Sequence, residues 1–290
     1  MTGLPDIVLR TTIVVAAGCA ACGWAEAQGK PPAVVCGAET VAHATVDRVV
    51  DGRTFVLNDG REVRLAGIVV PALPPTDQSR SAAVASAEGG AARAALEALI
   101  GGDEVVLRQA DPGLEHSLDR YGRLVAYVYA VRDGEELFAQ DALVQSGIAR
   151  VADRVDSKAC AQELLAGETA ARQAKLGLWG DPYYDVLSAD APAAVLAQRG
   201  RFALVEGQVA SVRESGATIY INFGRRWSES FAVTISKRNE RNFVAAGLDV
   251  MSFAGRRVRV RGWVEARGAE GNIPGMEAAR PEQIELADRN

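Results

Sequence analysis

Arginines and carboxylates dominate the side chains of this sequence that are able to do chemistry, because histidine and cysteine are scarce. The only histidines, His43 and His116, are far apart in the chain, so a histidine-based zinc site or a catalytic triad is not expected. Cys19 and Cys22 have the CxxC spacing of metal and redox sites, but they lie inside an apolar run where chance small residues explain the spacing. Arginine recurs in several turn and strand patterns, among them Arg53 in the Asp-Gly-Arg-Thr turn of residues 51–54, Arg64 in Val-Arg-Leu, and Arg123 in Tyr-Gly-Arg. A guanidinium group suits phosphate, sulfate or carboxylate, which it grips through paired hydrogen bonds.

The chain of 290 residues is long enough for two domains with ordinary cores. Its apolar content of 48% and charged content of 24% are those of a globular protein. A net charge of −5 argues against coating nucleic acid by bulk attraction and leaves room only for a local basic pocket. Residues 1–27 read as a signal peptide: Arg10 precedes an apolar run over 11–24, and Ala-Glu-Ala at 25–27 has the small-x-small form of a cleavage site. The sequence Ala-Ala-Gly-Cys at 16–19 loosely resembles a lipobox, so a lipid anchor at Cys19 is the alternative. Cleavage leaves Cys36 and Cys160, and two cysteines in an oxidising compartment make one disulfide the default.

The elements that must position the arginines follow from periodicity. Residues 28–41 read as a linker. Residues 44–50 alternate, and tight turns at Asp51-Gly52 and at 58–60 separate them from strands over 54–57 and 62–68. Further strands are expected over 105–107 and 124–129, and helices over 82–100, 138–147 and 160–175. Residues 181–200 read as a connector. Beyond it, strands are expected over 204–210, 218–223, 231–235, 257–263 and 276–286, with a helical segment over 239–253 between the third and fourth.

Five motifs in this stretch resemble the staphylococcal nuclease, or thermonuclease-like, family. They are Val-Val-Asp-Gly-Arg-Thr-Phe at 49–55, Val-Arg-Leu-Ala-Gly-Ile at 63–68 followed by Pro71, Asp-Arg-Tyr-Gly-Arg-Leu-Val-Ala-Tyr at 119–127, Ala-Leu-Val-Gln-Ser-Gly-Ile-Ala-Arg-Val at 142–151, and Glu168 with Lys-Leu-Gly-Leu-Trp at 175–179. The resemblance covers residues 42–180 in the family's order. It implies a small barrel wrapped by helices, hydrolysing phosphodiesters with Ca²⁺ held by carboxylates, a glutamate acting on water, and two arginines on the phosphate.

Carried over residue by residue, the family arginines match Arg64 and Arg123, and the first carboxylate of its turn matches Asp51. The second carboxylate of that turn is Arg53. The calcium carboxylate, the neighbouring ligand and the catalytic glutamate fall on Val69, Val70 and Ala72. Arginine for aspartate shifts the site by two charge units, and valine for aspartate and alanine for glutamate by one each, four in all toward positive. Asp51 is then the only retained calcium ligand, so no cofactor is expected; Asp77 or Glu115 would have to substitute for the lost carboxylates. The resemblance implies an anion site where Arg53, Arg64 and Arg123 converge. The competing role for Arg64 and Arg123 is pairing with Asp51, Asp119 or Glu62 to hold strands together. The family's nearness of N-terminal strand and last helix also agrees with a Cys36–Cys160 bond.

Residues 201–290 resemble OB-fold nucleic-acid-binding domains appended to exported nuclease-like proteins, through Tyr-Ile-Asn-Phe-Gly at 220–224, Phe-Ala-Val-Thr-Ile at 231–235 and Val-Arg-Val-Arg-Gly-Trp at 258–263. Such a domain would bind single strands with Tyr220, Phe223, Trp227 and Trp263 beside Arg225, Arg226, Arg259 and Arg261, unless Tyr220 and Phe223 lie in its core. The expected protein is therefore mainly β with helices, two OB-fold barrels of which the first is of staphylococcal-nuclease type with three helices. It is expected to be periplasmic or held in the cell envelope, catalytically defective, and to bind nucleic acid or another phosphate-containing ligand. The alternatives are an active nuclease with a rebuilt site and a structural module that contacts an envelope protein.

Overall fold

The alternating run that begins at residue 40 makes one long strand, and the tight turns after it fold the chain back into a meander. In the computed structural model, which describes residues 35–37, 39–71, 82–110, 118–155, 157–268 and 270–287, these are β1 (Thr40–Asp51), β2 (Thr54–Leu57) and β3 (Glu62–Leu65). The short β4 (Ile68–Val69), α1 (Ala82–Ile100), β5 (Glu104–Gln109), β6 (Leu124–Arg132) and β7 (Glu135–Phe138) follow. The first half ends with α2 (Ala139–Gln145), β8 (Arg150–Val151) and α3 (Lys158–Gln173). The sheet order is β3-β2-β1-β5-β6-β7, and a further β3–β6 pairing joins the two ends of the run from β3 to β6. Register shifts in β1 let it pair with β2 on one side and β5 on the other, as bulges do in strongly bent strands. The interior is filled by large apolar side chains, Phe55, Leu57, Leu96, Leu107, Tyr127 and Leu164 among them.

The segment before β1, expected as a linker, is fastened to this core. Cys36 is fully buried and disulfide-bonded to Cys160 of α3, with Cα atoms 5.4 Å apart. The Tyr129 hydroxyl accepts from the Cys36 amide at 2.6 Å and donates to its carbonyl at 3.1 Å. Residues 1–27, including Cys19 and Cys22, lie outside the described residues.

The connector expected over 181–200 is built into the second half, because it carries β9 (Leu187–Ser188), paired with a later strand, and α4 (Pro192–Leu196), whose Val195 is fully buried. Next come β10 (Phe202–Gln208), β11 (Ser211–Ser215), β12 (Thr218–Asn222), β13 (Ala232–Ser236) and α5 (Lys237–Ala245). The chain closes with β14 (Arg257–Trp263), β15 (Glu265–Arg267), β16 (Ile273–Glu277) and β17 (Ile284–Leu286). The whole is mixed α+β, mainly strands, with five α-helices among the described residues.

Two departures from the sequence reading have local causes. The helix expected over 239–253 stops at Ala245, because Gly247 turns left-handed (φ 80°) and Leu248 donates back to the Phe243 carbonyl; a separate 3-10 turn then covers Val250–Phe253. The strand expected over 276–286 is split at Pro281, which opens a 3-10 turn and lacks the amide a strand ladder needs. Its two pieces join different sheets, β17-β14-β10-β9 and β11-β12-β13-β16-β15. Both sheets pack on one core that includes Phe223, Phe231, Phe243 and Phe253. Residues 34–290 form one unit, and a third apolar cluster joins its halves: Val69, Ala171 and Trp179 against Phe202 and Leu204.

Candidate anion-binding site

The site starts from two turns. β1 ends at Asp51, whose Oδ1 accepts from the Arg53 amide at 2.8 Å, the self-bonded turn that aspartate makes well. Glycine is required at 52: a Cβ there would stand 2.5 Å from the Ala92 Cβ and 3.1 Å from its carbonyl carbon, so α1 crosses directly over the turn. Arg64 lies one strand over, opposite Thr54 in the β2–β3 register, and opposite Val125 in the β3–β6 pairing. Arg123 immediately precedes β6, and the turn Asp119–Gly122 delivers it. Gly122 takes φ 79°, and its amide donates to the Asp119 carbonyl at 2.9 Å.

These turns bring Arg53, Arg64 and Arg123 to one open cleft of ≈ 730 Å³, lined also by Asp119, Arg120, Tyr121 and Val125. The three guanidinium groups are not equivalent. Arg123 is held by Asp119, with Nε–Oδ2 at 2.8 Å and Nη2–Oδ2 at 2.6 Å, and its guanidinium lies 5.0 Å from the centre of the Tyr121 ring. Arg120 covers the same ring at 4.7 Å. Arg53 and Arg64, by contrast, make no ion pair with a carboxylate among the described residues. The alternative that arginines here serve only as strand clamps thus fits Arg123 with Asp119 and does not fit Arg64.

Electrostatics follow this division. Burial, then repulsion from Arg64, pushes the Arg53 guanidinium down to about 10, against a partial pull from Asp51. Arg64 is lowered as well, by burial first and by Arg123 second. Burial would raise the Asp119 carboxyl, but hydrogen bonds from the Arg123 side chain and from the Tyr121 and Arg123 amides hold it below the usual range. Two half-buried cations that repel each other, offset only in part by Asp51 and Asp119 and bound to neither in an ion pair, are an arrangement that an incoming anion relieves.

The remaining family positions are apolar or lie elsewhere. Val69 and Val70 are each 8% exposed; Val69 belongs to the cluster with Trp179 and Phe202, and Val70 to the core of the first half. Ala72, Asp77, Glu115 and His116 lie outside the described residues. His43 is exposed on β1, 3.6 Å from Glu104 and away from the cleft. Among the described residues no group of three or more His, Cys, Asp or Glu side chains is disposed to hold a metal ion. Arg53 and the buried Val69, which the resemblance puts at ligand positions, offer no side-chain oxygen to Ca²⁺, which takes oxygen ligands.

One stretch of the sequence, from β3 to just beyond α3, matches a known family. Residues 62–181 match the family model of the staphylococcal nuclease homologue. This supports a nuclease-like family for the first half. The match begins at Glu62, so the turn bearing Asp51 and Arg53 precedes it, while Arg64, Arg123 and Glu168 fall within it. No curated protein matches the chain.

The aromatic and basic surface expected on the second half does not assemble as one face. Phe223 is buried against Phe231, ring centres 5.1 Å apart. Arg259 pairs with Glu206 at 2.6 Å, and Arg261 is 1% exposed and bonded to Glu168 of the nuclease-like half. Trp227 and Arg226 are exposed, with Arg226 3.4 Å from Glu229. Trp263 instead stands beside the nuclease-like half, where it lines a cavity of ≈ 370 Å³ that continues the arginine cleft. Its strand position is legible in sequence; its neighbours are not, because they belong to the other half of the chain.

Proposed function

We propose that this is an exported nuclease-fold protein that binds a phosphate-containing anion between Arg53, Arg64 and Arg123 and does not cleave phosphodiesters by the family's metal-dependent route. The observation that carries the reading is the pair Arg53 and Arg64, facing one cleft with no ion-pairing carboxylate among the described residues, Arg53 standing where the resemblance puts a cation ligand and Arg64 where it puts a phosphate-binding arginine. The buried Val69 and Val70 support the loss of the metal. The disulfide fits an oxidising compartment, which supports export. The helix α5 between β13 and β14 supports an OB-type reading of the second half.

In this reading the chemistry is recognition. The guanidinium groups of Arg53 and Arg64 donate to phosphate oxygens, and Asp119 holds Arg123 in position at the rim. The test is calorimetric titration of the purified protein with ribose 5-phosphate, alongside Arg64→Ala, and a cleavage assay on single-stranded DNA with and without Ca²⁺. Binding that Arg64→Ala abolishes, with no cleavage, is the expected result. Ca²⁺-dependent cleavage abolished by Arg64→Ala would overturn the reading in favour of an active nuclease with a rebuilt site, and absence of any phosphate binding would overturn it in favour of a structural envelope module.

A further inference from the structure

The arginine cleft does not end within the nuclease-like half. Arg53, Arg64, Asp119 and Val125 line both the outer cleft and the inner cavity of ≈ 370 Å³, and that cavity reaches Trp263 of the second half. Trp263, Asp153 and Arg154 then line both the inner cavity and a third, larger one at the junction of the halves. The three spaces are thus adjacent in series through shared lining residues, with the arginines at one end and Trp263 between the inner cavity and the third.

Trp263 is built to serve as a fixed wall. It is 46% exposed, a large aromatic surface left open to water at the end of a strand. Its ring stands edge-on to Phe202, 6.0 Å between centres and 74° between planes, and the two residues are partners in the β10–β14 register. Phe202 is itself 5% exposed and lies under the Arg150 guanidinium at 5.1 Å. Two residues earlier on the same strand, Arg261 is locked into the nuclease-like half through Glu168. Residues two apart on a strand share a face, so the anchor that docks the strand also directs Trp263 toward the inner cavity.

Charge varies along this series in a way that selects the ligand. The outer cleft carries four arginines against one aspartate, which Arg123 already engages. The third cavity carries the carboxylates of Asp153, Glu265, Glu277 and Glu282 against Arg154, Lys158 and Arg280. There the acidic and basic side chains nearly balance, so the attraction for anions is concentrated at the arginine end. A molecule with its anionic end at the arginines and a flat uncharged ring beyond meets complementary chemistry at both points.

We infer that Trp263 completes the arginine site as a stacking wall contributed by the second half, so that the ligand is a phosphate ester bearing a flat ring, such as a nucleotide or the phosphorylated end of a single strand. This rests on the phosphate-binding reading of Arg53 and Arg64. Stacking on an aromatic side chain is worth roughly 5- to 100-fold in affinity for each base.

The experiment titrates the full protein with adenosine 5′-monophosphate, with ribose 5-phosphate and with a short 5′-phosphorylated deoxyadenylate, and repeats each titration with Trp263→Ala and Trp263→Phe. Adenosine 5′-monophosphate should bind about 5- to 100-fold more tightly than ribose 5-phosphate. Trp263→Ala should erase that difference while leaving ribose 5-phosphate affinity unchanged, and Trp263→Phe should retain part of it. Tighter binding of the oligonucleotide than of the mononucleotide assigns the site to a strand end, and equal binding assigns it to a free nucleotide; both support the stacking wall. If the two monophosphates bind equally, or if Trp263→Ala leaves their difference intact, the stacking wall is overturned while phosphate binding stands. If ribose 5-phosphate does not bind, the phosphate site falls and the stacking wall with it.

Discussion

Arg261 of β14 donates from Nη2 to Oε2 of Glu168 on α3 at 2.7 Å, and both side chains are almost wholly withdrawn from water. Nη2 also reaches Glu285, and Nη1 donates to the Val151 carbonyl at 3.1 Å. The other oxygen of Glu168 accepts from the Val151 amide at 2.8 Å. Burial alone would lower the Arg261 pKa, but the two carboxylates outweigh it and hold it above its ordinary value. Removing one partner strands the other as a buried charge. Arg261→Met should therefore cost about 3–5 kcal/mol of stability. Arg261→Met combined with Glu168→Gln should cost less than Arg261→Met alone, because the amide still accepts from Val151 and no buried carboxylate is left at 168, although Arg172, 3.9 Å from Glu168, loses its partner. Urea denaturation of the two variants checks this; equal losses would show that the ion pair is not what the single variant disrupts.

Calcium should leave the protein unchanged. A ligand that binds the folded state raises its stability by RT ln(1 + [L]/Kd), so millimolar Ca²⁺ at a family-type site would raise Tm measurably. With Arg53 and Val69 at ligand positions, no shift is expected in differential scanning fluorimetry with Ca²⁺ or with a chelator.

Restoring the family carboxylate at 69 should fail for a reason visible in the packing. Val69 is 8% exposed in the cluster with Trp179, Phe202 and Leu204. Val69→Asp places a carboxylate there without a cation, at a cost of roughly 3–5 kcal/mol. Thermal unfolding should show this loss with and without Ca²⁺; rescue by Ca²⁺ would mean that the site remains competent.

Asp119 gives the site an acid limit. Its folded carboxyl lies below its ordinary value of about 3.8, so the proton binds more tightly to the unfolded chain. The resulting stabilisation is present above that ordinary value and is lost as pH falls through the lower folded value. Asp119→Asn should reduce stability at neutral pH by a small amount, because the pair is near the surface, and the difference from the unmodified protein should vanish in acid. Unfolding midpoints measured across pH 2 to 7 test the sign.

The cysteines should be found linked. The Cys36–Cys160 bond closes a loop with a sequence separation of 124, which in the chain-entropy model contributes up to about 5 kcal/mol. Non-reducing peptide mapping should recover one joined peptide pair, and reduction should lower Tm.

The sequence by itself determined what depends on neighbours along the chain. The Asp-Gly turn at 51–52, the strand alternation and the identity of residues 53, 69 and 70 were all legible, since turn chemistry and side-chain period act over a few residues. Segment ends were less legible: Pro281 and Gly247 broke elements whose apolar pattern ran on past them. Only the tertiary structure decided which arginines would be free and which bound. Arg123 finds Asp119 four residues away, but Arg261 finds Glu168 across a separation of 93 residues, and no period in the sequence records such a meeting. The same holds for Val69, buried against Phe202 and Leu204, and for Trp263, which the docking of β14 sets beside the arginine cleft of the other half. Burial rewards any apolar partner of suitable shape, so the partner is fixed by how the sheets pack and not by the local pattern of either strand.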